Sequence, residues 1–288
     1  MRDLNYQLKQ LCHRNRDGSF ATQAGRAGIL QLVADQLHEV GFRDLHATGL
    51  KPKHVEALCQ RWQAEALSAG TIKNRMAALR WWAEKVGKRT IIARDNADYG
   101  IANRQLVSTD NKARALTDTE LARIDDPYTS LSLRLQAVFG LRRAESIKIQ
   151  PAWADRGTAL VLRASWCKGG RQRTSPMRTE AQRLLLDEAK AFAGRGSLIP
   201  RGSRYVDQLR RFEHQCSKAG IHNVHGHRHA YAQARYKELT GWNAPAAGGP
   251  SSRSLSPEQK AVDREARLTI SAELGHEREQ VTAIYLSR

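Results

Sequence analysis

The chain has 288 residues, with 47 Lys and Arg against 29 Asp and Glu, a formal net charge of +18. An excess of that size points to a polyanionic partner, nucleic acid ahead of a membrane surface, because no basic amphipathic stretch adjoins an anchoring apolar run. Its length suits two domains better than one. The four scattered cysteines (Cys12, Cys59, Cys167, Cys216) form no Cys-x-x-Cys pair and indicate neither a disulfide framework nor a thiolate zinc site. No signal peptide opens the chain, and no apolar run approaches the roughly 18 residues of a membrane helix, so a cytoplasmic protein is expected.

Within residues 22–40, Ile29, Val33, Leu37 and Val40 recur at helical spacing, and Gly41 closes the segment. Pro52 stands where a first-turn proline belongs. Behind it Val55, Leu58, Cys59, Trp62 and Ala66 form a stripe ending at Gly70. Thr71 is a candidate cap for the next helix, whose stripe is Ile72, Met76, Leu79, Ala83 and Val86. Several amphipathic helices with little β-pattern predict a helical domain over residues 1–105. Lys73, Arg75, Arg80, Lys85, Lys88 and Arg89 form basic faces that suit a phosphate backbone, against the plainer reading of a solvated surface. The polar, basic stretch that starts near Asn103 reads as a linker, placed at 106–114, with a second domain over 115–288.

Thr117-Asp118-Thr119-Glu120 has the form of a capping box. A helix follows, and a further apolar segment over 131–139 stops at Gly140. Gly140-Leu141-Arg142-Arg143-Ala144-Glu145 then opens a helix just after a glycine, which sets an arginine beside helix-terminal N–H groups and suits a phosphate. Residues 158–162 read as a strand and 172–177 as its hairpin partner, with Gly169-Gly170 supplying the turn. Lys168 therefore sits on the hairpin rim, where by itself an edge lysine that discourages aggregation is the simpler explanation.

Residues 179–193 and 203–219 are predicted helices. His225-Gly226-His227-Arg228-His229 leads into another. With a start near Gly226, His225 and Arg228 project on neighbouring sides of the first turn. His225 and His229 are four apart, yet the sequence places no third metal ligand and shows no His-Glu-x-x-His pattern; histidines capping a helix start explain them as well. Residues 241–257, rich in Gly, Pro, Ser and Ala, read as a mobile surface loop. Residues 263–274 read as a helix that ends in Leu274-Gly275-His276. Tyr285 follows His276 by nine positions and lies i, i+4 from Val281, so its ring also suits plain core packing. A phenol with a pKa of about 10 is a poor nucleophile at neutral pH, and a reactive Tyr285 needs cations from elsewhere in the chain.

Taken in order, Gly140-Leu141-Arg142 with Glu145, the Lys168 hairpin, His225-x-x-Arg228-His229, Leu274-Gly275-His276 and Tyr285 resemble the tyrosine recombinase (phage integrase) family over residues 112–288. The segment from Thr71 to Arg80 looks like the helical core-binding domain that precedes the catalytic half in such integrases. The resemblance implies a mainly α fold with a small β-sheet: a SAM-like N-terminal core-binding domain and an α+β catalytic domain, together a C-shaped clamp on duplex DNA.

It also implies roles. Arg142 and Arg228 would clamp the non-bridging oxygens of the scissile phosphate. Lys168 would protonate the departing 5′-oxygen, and His225 would assist by proton transfer or hydrogen bonding. His276 would hydrogen-bond the same phosphate. Tyr285 would be the nucleophile and carry a 3′-phosphotyrosine. Glu145 would support the arginine, with His229 behind the same box. Arg171 and Arg173, on the hairpin, join the first-domain basic residues as expected DNA contacts. One phosphodiester is traded for another, and the arginines meet the phosphoryl charge in place of a metal, so neither a metal nor another cofactor is expected. The implied partners are double-stranded DNA, a homotetramer holding two duplexes, and accessory DNA-bending proteins, with no membrane.

Departures accompany the resemblance. The separation of Arg228 from His276 is long, and the 241–257 insertion accounts for it. Only three residues follow Tyr285, and no extra N-terminal arm-binding domain is evident. Tail exchange between subunits is therefore in doubt, and a simple one-site-type integrase is expected. Two rivals share the fold: a type IB topoisomerase-like enzyme that relaxes a single duplex, and a catalytically inactive DNA-binding regulator.

Overall fold

Caps and apolar stripes decide where the helices of this chain begin and which way they face. In a computed structural model that describes residues 2–104, 110–276 and 279–287, they gather into two units, Met1–Gln105 and Leu106–Arg288. Linker positions 106–109, the run Glu277-Arg278 and the terminal Arg288 lie outside the described residues.

The first unit holds α1 (Asp3–Arg14), α2 (Phe20–Glu39), α3 (Pro52–Ala64) and α4 (Ala69–Lys85). Leu4 and Leu8 of α1, a helix not singled out from the sequence, are buried in the same core as Leu30, Val33 and Leu37 of α2. Pro52 opens α3 as expected. The cap of α4 is Ser68 and not Thr71: the Ser68 hydroxyl accepts from the Thr71 backbone N–H at 3.2 Å, which puts Gly70 inside the first turn. Trp62 and Trp82 are fully buried, and their indoles donate to Gln36 Oε1 and to the Ala47 carbonyl, each at 2.8 Å. Those two bonds satisfy the only polar atom of each ring inside an apolar core.

The second unit starts with α5 (Asp118–Leu121), whose capping box forms in both directions between Thr117 and Glu120. Next come α6 (Pro127–Phe139), α7 (Arg143–Lys148) and α8 (Pro151–Ala154). The strands β1 (Ala159–Leu162) and β2 (Arg173–Pro176) pair antiparallel, with Leu160 opposite Ser175. Then follow α9 (Glu180–Ala193), α10 (Tyr205–Lys218), α11 (Gly226–Thr240), α12 (Pro257–Leu274) and α13 (Glu279–Leu286). Helix α11 is the hub and packs on α6, α12 and α13.

Three expectations change. Residues 241–257 are folded, with short 3-10 turns at Pro245–Ala247 and Ser252–Ser254 and a fully buried Ala244. Ser256 and Gln259 form a capping box around Pro257, which starts α12 ahead of the expected residue 263. The end of the expected linker belongs to the second unit: the Arg114 N–H donates to the Gly226 carbonyl at 3.0 Å, and the Arg114 carbonyl lies 2.9 Å from His227 Nδ1.

Candidate active site

A left-handed glycine begins the site. Gly140 ends α6 at φ 60°, where a Cβ would meet Tyr231 at 2.6 Å, and the turn delivers Arg142 to the N-cap of α7. The Arg142 backbone N–H and guanidinium donate to the two oxygens of Glu145, at 2.8 and 2.7 Å. Glu145 is fully buried and takes a second guanidinium, Arg173 Nη2, at 2.7 Å. Burial by itself would raise its pKa, but Arg173, Arg142 and Arg228 outweigh that and hold the carboxyl below the usual range. A buried carboxylate thus fixes two arginines.

Arg173 departs from its expected role as a DNA contact. It is 5% exposed, bonded to Glu145 and to the Glu273 carbonyl. Strand alternation is the reason: β2 points Arg173 and Ser175 inward and Thr174 outward. Gly275, at φ 65°, ends α12 beside it, and a Cβ there would sit 2.6 Å from Arg173 Cδ.

Arg228 lies in the first turn of α11 and is 1% exposed. Nη1 donates to the Gly140 carbonyl, Nη2 to the Leu274 carbonyl at 2.5 Å and to His276 Nε2 at 3.1 Å, and Nε to the Tyr285 hydroxyl at 3.2 Å. One side chain therefore ties together the ends of α6 and α12 and the ring carried by α13. Burial, then Arg142 and Arg173, bring its pKa down to about 10, which leaves it cationic at neutral pH.

Tyr285 is 6% exposed, and its hydroxyl also lies 3.2 Å from His225 Nε2. His276 stacks on the ring at 5.2 Å and 14°, and His229 packs on it at 4.5 Å. Because Arg228 donates to His276 Nε2, the proton of that imidazole belongs on Nδ1, which donates to Thr282 Oγ1 at 2.9 Å. Burial and the cations Arg228, Arg142 and Arg173 push the His276 pKa down to about 3. Burial, His225 and Lys112 push His229 down to about 4, and burial with Arg228, Arg142 and Lys168 lowers His225. All three rings are neutral at pH 7. On the far side, the Tyr285 carbonyl accepts from Gln233 Nε2 at 3.0 Å, and that amide also reaches Asn111 Oδ1 at 2.8 Å. Thr282 and Gln233 were not singled out from sequence, because nothing in their spacing sets them apart from other polar residues on a helix.

Beside this closed cluster lies an open cavity of about 440 Å³, lined by Arg142, Lys168, Arg171, Arg173, Gly275 and His276 among others. Lys168 and Arg171 are exposed on the hairpin, where Gly169 and Gly170 have φ of 84° and 68°. Arg142 and His276 border both the cavity and the cluster. Among the described residues, no group of three or more His, Cys, Asp and Glu side chains is arranged to hold a metal ion.

Five of the six basic nominees of the first unit are engaged within it, and the sixth, Arg89, is exposed. Arg80 Nη2 donates to the Ala93 carbonyl and Asn96 Oδ1, each at 3.0 Å, and Lys88 Nζ to the Leu50 carbonyl at 3.2 Å. Lys85 pairs with Asp17 at 2.8 Å, Lys73 donates to Asn103 at 3.1 Å, and Arg75 lies over Trp62 at 5.3 Å. Arg80 ties the segment around Ala93 and Asn96 to α4, and Lys88 ties the segment that follows α4 to Leu50, ahead of α3.

Two family descriptions match the chain: phage integrase, N-terminal, over residues 1–92, and integrase, over residues 104–234. The chain belongs to the phage integrase, or tyrosine recombinase, family. The integrase match spans Arg142, Lys168, His225 and Arg228 and ends before His276 and Tyr285. Its fold is a SAM-like N-terminal helical domain followed by a mainly helical catalytic domain with a small sheet, as the sequence implied.

Solved structures share this fold. A lambda integrase dimer bound to a COC′ core site has a TM-score of 0.60 at 16% identity, covering 98% of this chain and 76% of that one. XerH recombinase bound to difH substrate in a pre-cleavage complex gives 0.56 at 14%, covering 98% and 80%. The Tn1549 transposon integrase in complex with circular intermediate DNA gives 0.53 at 13%, covering 100% and 96%. No curated protein matches the recombinase in sequence. Among its described residues, no helix is long and apolar enough to cross a membrane.

Proposed function

We propose that this recombinase is a site-specific integrase of a mobile element that breaks and rejoins double-stranded DNA through a 3′-phosphotyrosine at Tyr285. One observation carries the reading: the Tyr285 hydroxyl lies 3.2 Å from both Arg228 Nε and His225 Nε2, residues 57 and 60 positions away in the chain, and its ring stacks on His276, which lines a cavity with Arg142 and Lys168. A core tyrosine needs one hydrogen-bond partner, whereas this one has a cation and a neutral imidazole.

The chemistry follows from those atoms. A scissile phosphate seated against Arg142 and Lys168 replaces the Tyr285 and His276 contacts of Arg228, while the Gly140 and Leu274 carbonyls keep the guanidinium aligned. The Tyr285 oxygen attacks phosphorus, its proton passes to His225, and the bond from phosphorus to the 5′-oxygen breaks as Lys168 protonates the leaving oxygen. The two guanidinium groups stabilise the charge on the non-bridging oxygens. Reversal by the 5′-hydroxyl of another duplex completes the exchange, without ATP or a bound metal.

The solved relatives favour exchange between duplexes over relaxation of one. A lambda integrase tetramer was solved on a Holliday junction, and the Tn1549 integrase on circular intermediate DNA. By that likeness four copies of this chain hold two duplexes. The test is a nicked duplex cut from DNA flanking the gene. The native chain is expected to form a covalent adduct on it, and Tyr285→Phe to bind equally and form none. An adduct that persists in Tyr285→Phe would sink the assignment.

A further inference from the structure

We infer that the folded insertion between α11 and α12, residues 242–249, is a positioning element for the nucleophile. This inference rests on the reading of Tyr285 as the attacking group. Helix α13 has eight residues, too few to hold a helix on its own, so its place depends on what it packs against. The Pro245–Ala247 turn packs directly on α13. Ala244 is fully buried and lies in the same apolar cluster as Tyr285 and Leu286.

The insertion is itself anchored and closed. At its entry Trp242 Nε1 donates to the Tyr236 hydroxyl at 3.2 Å, and that hydroxyl donates to Asp263 Oδ1 at 2.6 Å, which links the insertion to α11 and α12. The loop then folds back on itself: the N–H groups of Ala247 and Gly249 donate to the Ala244 carbonyl at 2.8 and 3.0 Å. Closure requires glycine at 249 on steric grounds, since a Cβ there would lie 1.7 Å from the Asn243 carbonyl oxygen and 2.4 Å from its carbon. Those are backbone atoms, so a larger residue must open the loop. None of these residues touches the cavity or the hydroxyl of Tyr285. Their effect passes through α13, where the tyrosine oxygen must stay within reach of Arg228 and His225.

The experiment compares the native chain, Gly249→Ala and Ala244→Gly on the nicked duplex, under single-turnover conditions with DNA at saturation. Misplacement of a reacting group by about 1 Å costs about 100-fold, so Gly249→Ala is expected to lower the cleavage rate by about 10- to 100-fold while its DNA affinity stays within about 2-fold. Ala244→Gly keeps the loop closed and loses one methyl contact, with a smaller fall in the same rate. It serves as the folded comparison should Gly249→Ala fail to fold. Cleavage by both variants at the native rate, or a loss that appears in DNA affinity and not in the saturated rate, overturns this inference and leaves the recombinase reading standing. A native chain that forms no adduct overturns both.

Discussion

Arg142 and Arg228 read alike in the sequence, as two arginines at helix starts, yet the fold uses them differently. The side chain of Arg142 is 22% exposed, is oriented by Glu145 and faces an open cavity with Lys168. Arg228 is 1% exposed and spends its donors on two carbonyls, a histidine and the tyrosine hydroxyl. In the proposed reaction the open half receives the scissile phosphate and the closed half holds the attacking tyrosine. Positive charge in this site is thus partly a binding feature and partly framework.

Substitution of the two arginines should separate those uses most sharply. Arg228→Ala leaves the Gly140 and Leu274 carbonyls unpaired inside the protein, and a buried unsatisfied polar group costs about 1–3 kcal/mol. We expect a clear fall in the melting temperature together with loss of cleavage. Arg142→Ala should lose cleavage with a smaller fall, since Arg173 still pairs with Glu145. Equal melting temperatures for the two variants would erase the distinction between open and closed halves.

Lys168→Ala comes next. General acid catalysis contributes about 10²–10⁴-fold, and a cleavage loss in that range is expected with DNA binding and thermal stability nearly native, because the side chain is exposed. Parallel losses of binding and cleavage would contradict its role.

The hairpin offers a finer test. Arg171 is exposed and Arg173 is buried on Glu145, so Arg171→Ala should lower the salt slope of DNA binding by about 1, whereas Arg173→Met should leave the slope alone and lower stability. A slope change for Arg173→Met would return that residue to the DNA surface.

The smallest effect concerns acid. His276 and His229 have folded pKa values of about 3 and about 4, below the ordinary value of 6.5. The unfolded chain therefore binds more protons in that window, so their contribution to stability is complete above pH 6.5 and is lost as pH falls, through about 4 for His229 and about 3 for His276. Denaturant unfolding between pH 4 and 8 should show this slope, and His229→Gln should flatten it. An unchanged slope would mean that the ring is not held neutral by the closed half.

The sequence made the chemical groups legible and left much of their support hidden. The arginines, the hairpin lysine and the histidines carry spacing that survives in one dimension, as do Pro52 and the Thr117 capping box. Helix α1 does carry Leu4, Leu8, Leu11 and Cys12 at helical spacing, but its twelve residues begin almost at the start of the chain, with no capping side chain or proline to mark the entry. Ser68 and Thr71 are equally good caps by residue type, and the choice between them depends on where α4 begins. Arg173 looked like a surface cation because its partner, Glu145, is 28 residues away and only strand alternation brings them together. The 241–257 insertion has the composition of a loose loop, but it packs on a helix that lies beyond α12 in the sequence. Side-chain chemistry is local; burial is decided by residues far along the chain.

The most direct test of the account is peptide mapping of the covalent complex. After cleavage of the nicked duplex, nuclease and protease digestion should leave a single nucleotide-modified peptide, with the phosphate on the oxygen of Tyr285. A complex whose modification maps to any other residue, or an active protein that forms no covalent complex at all, would contradict it.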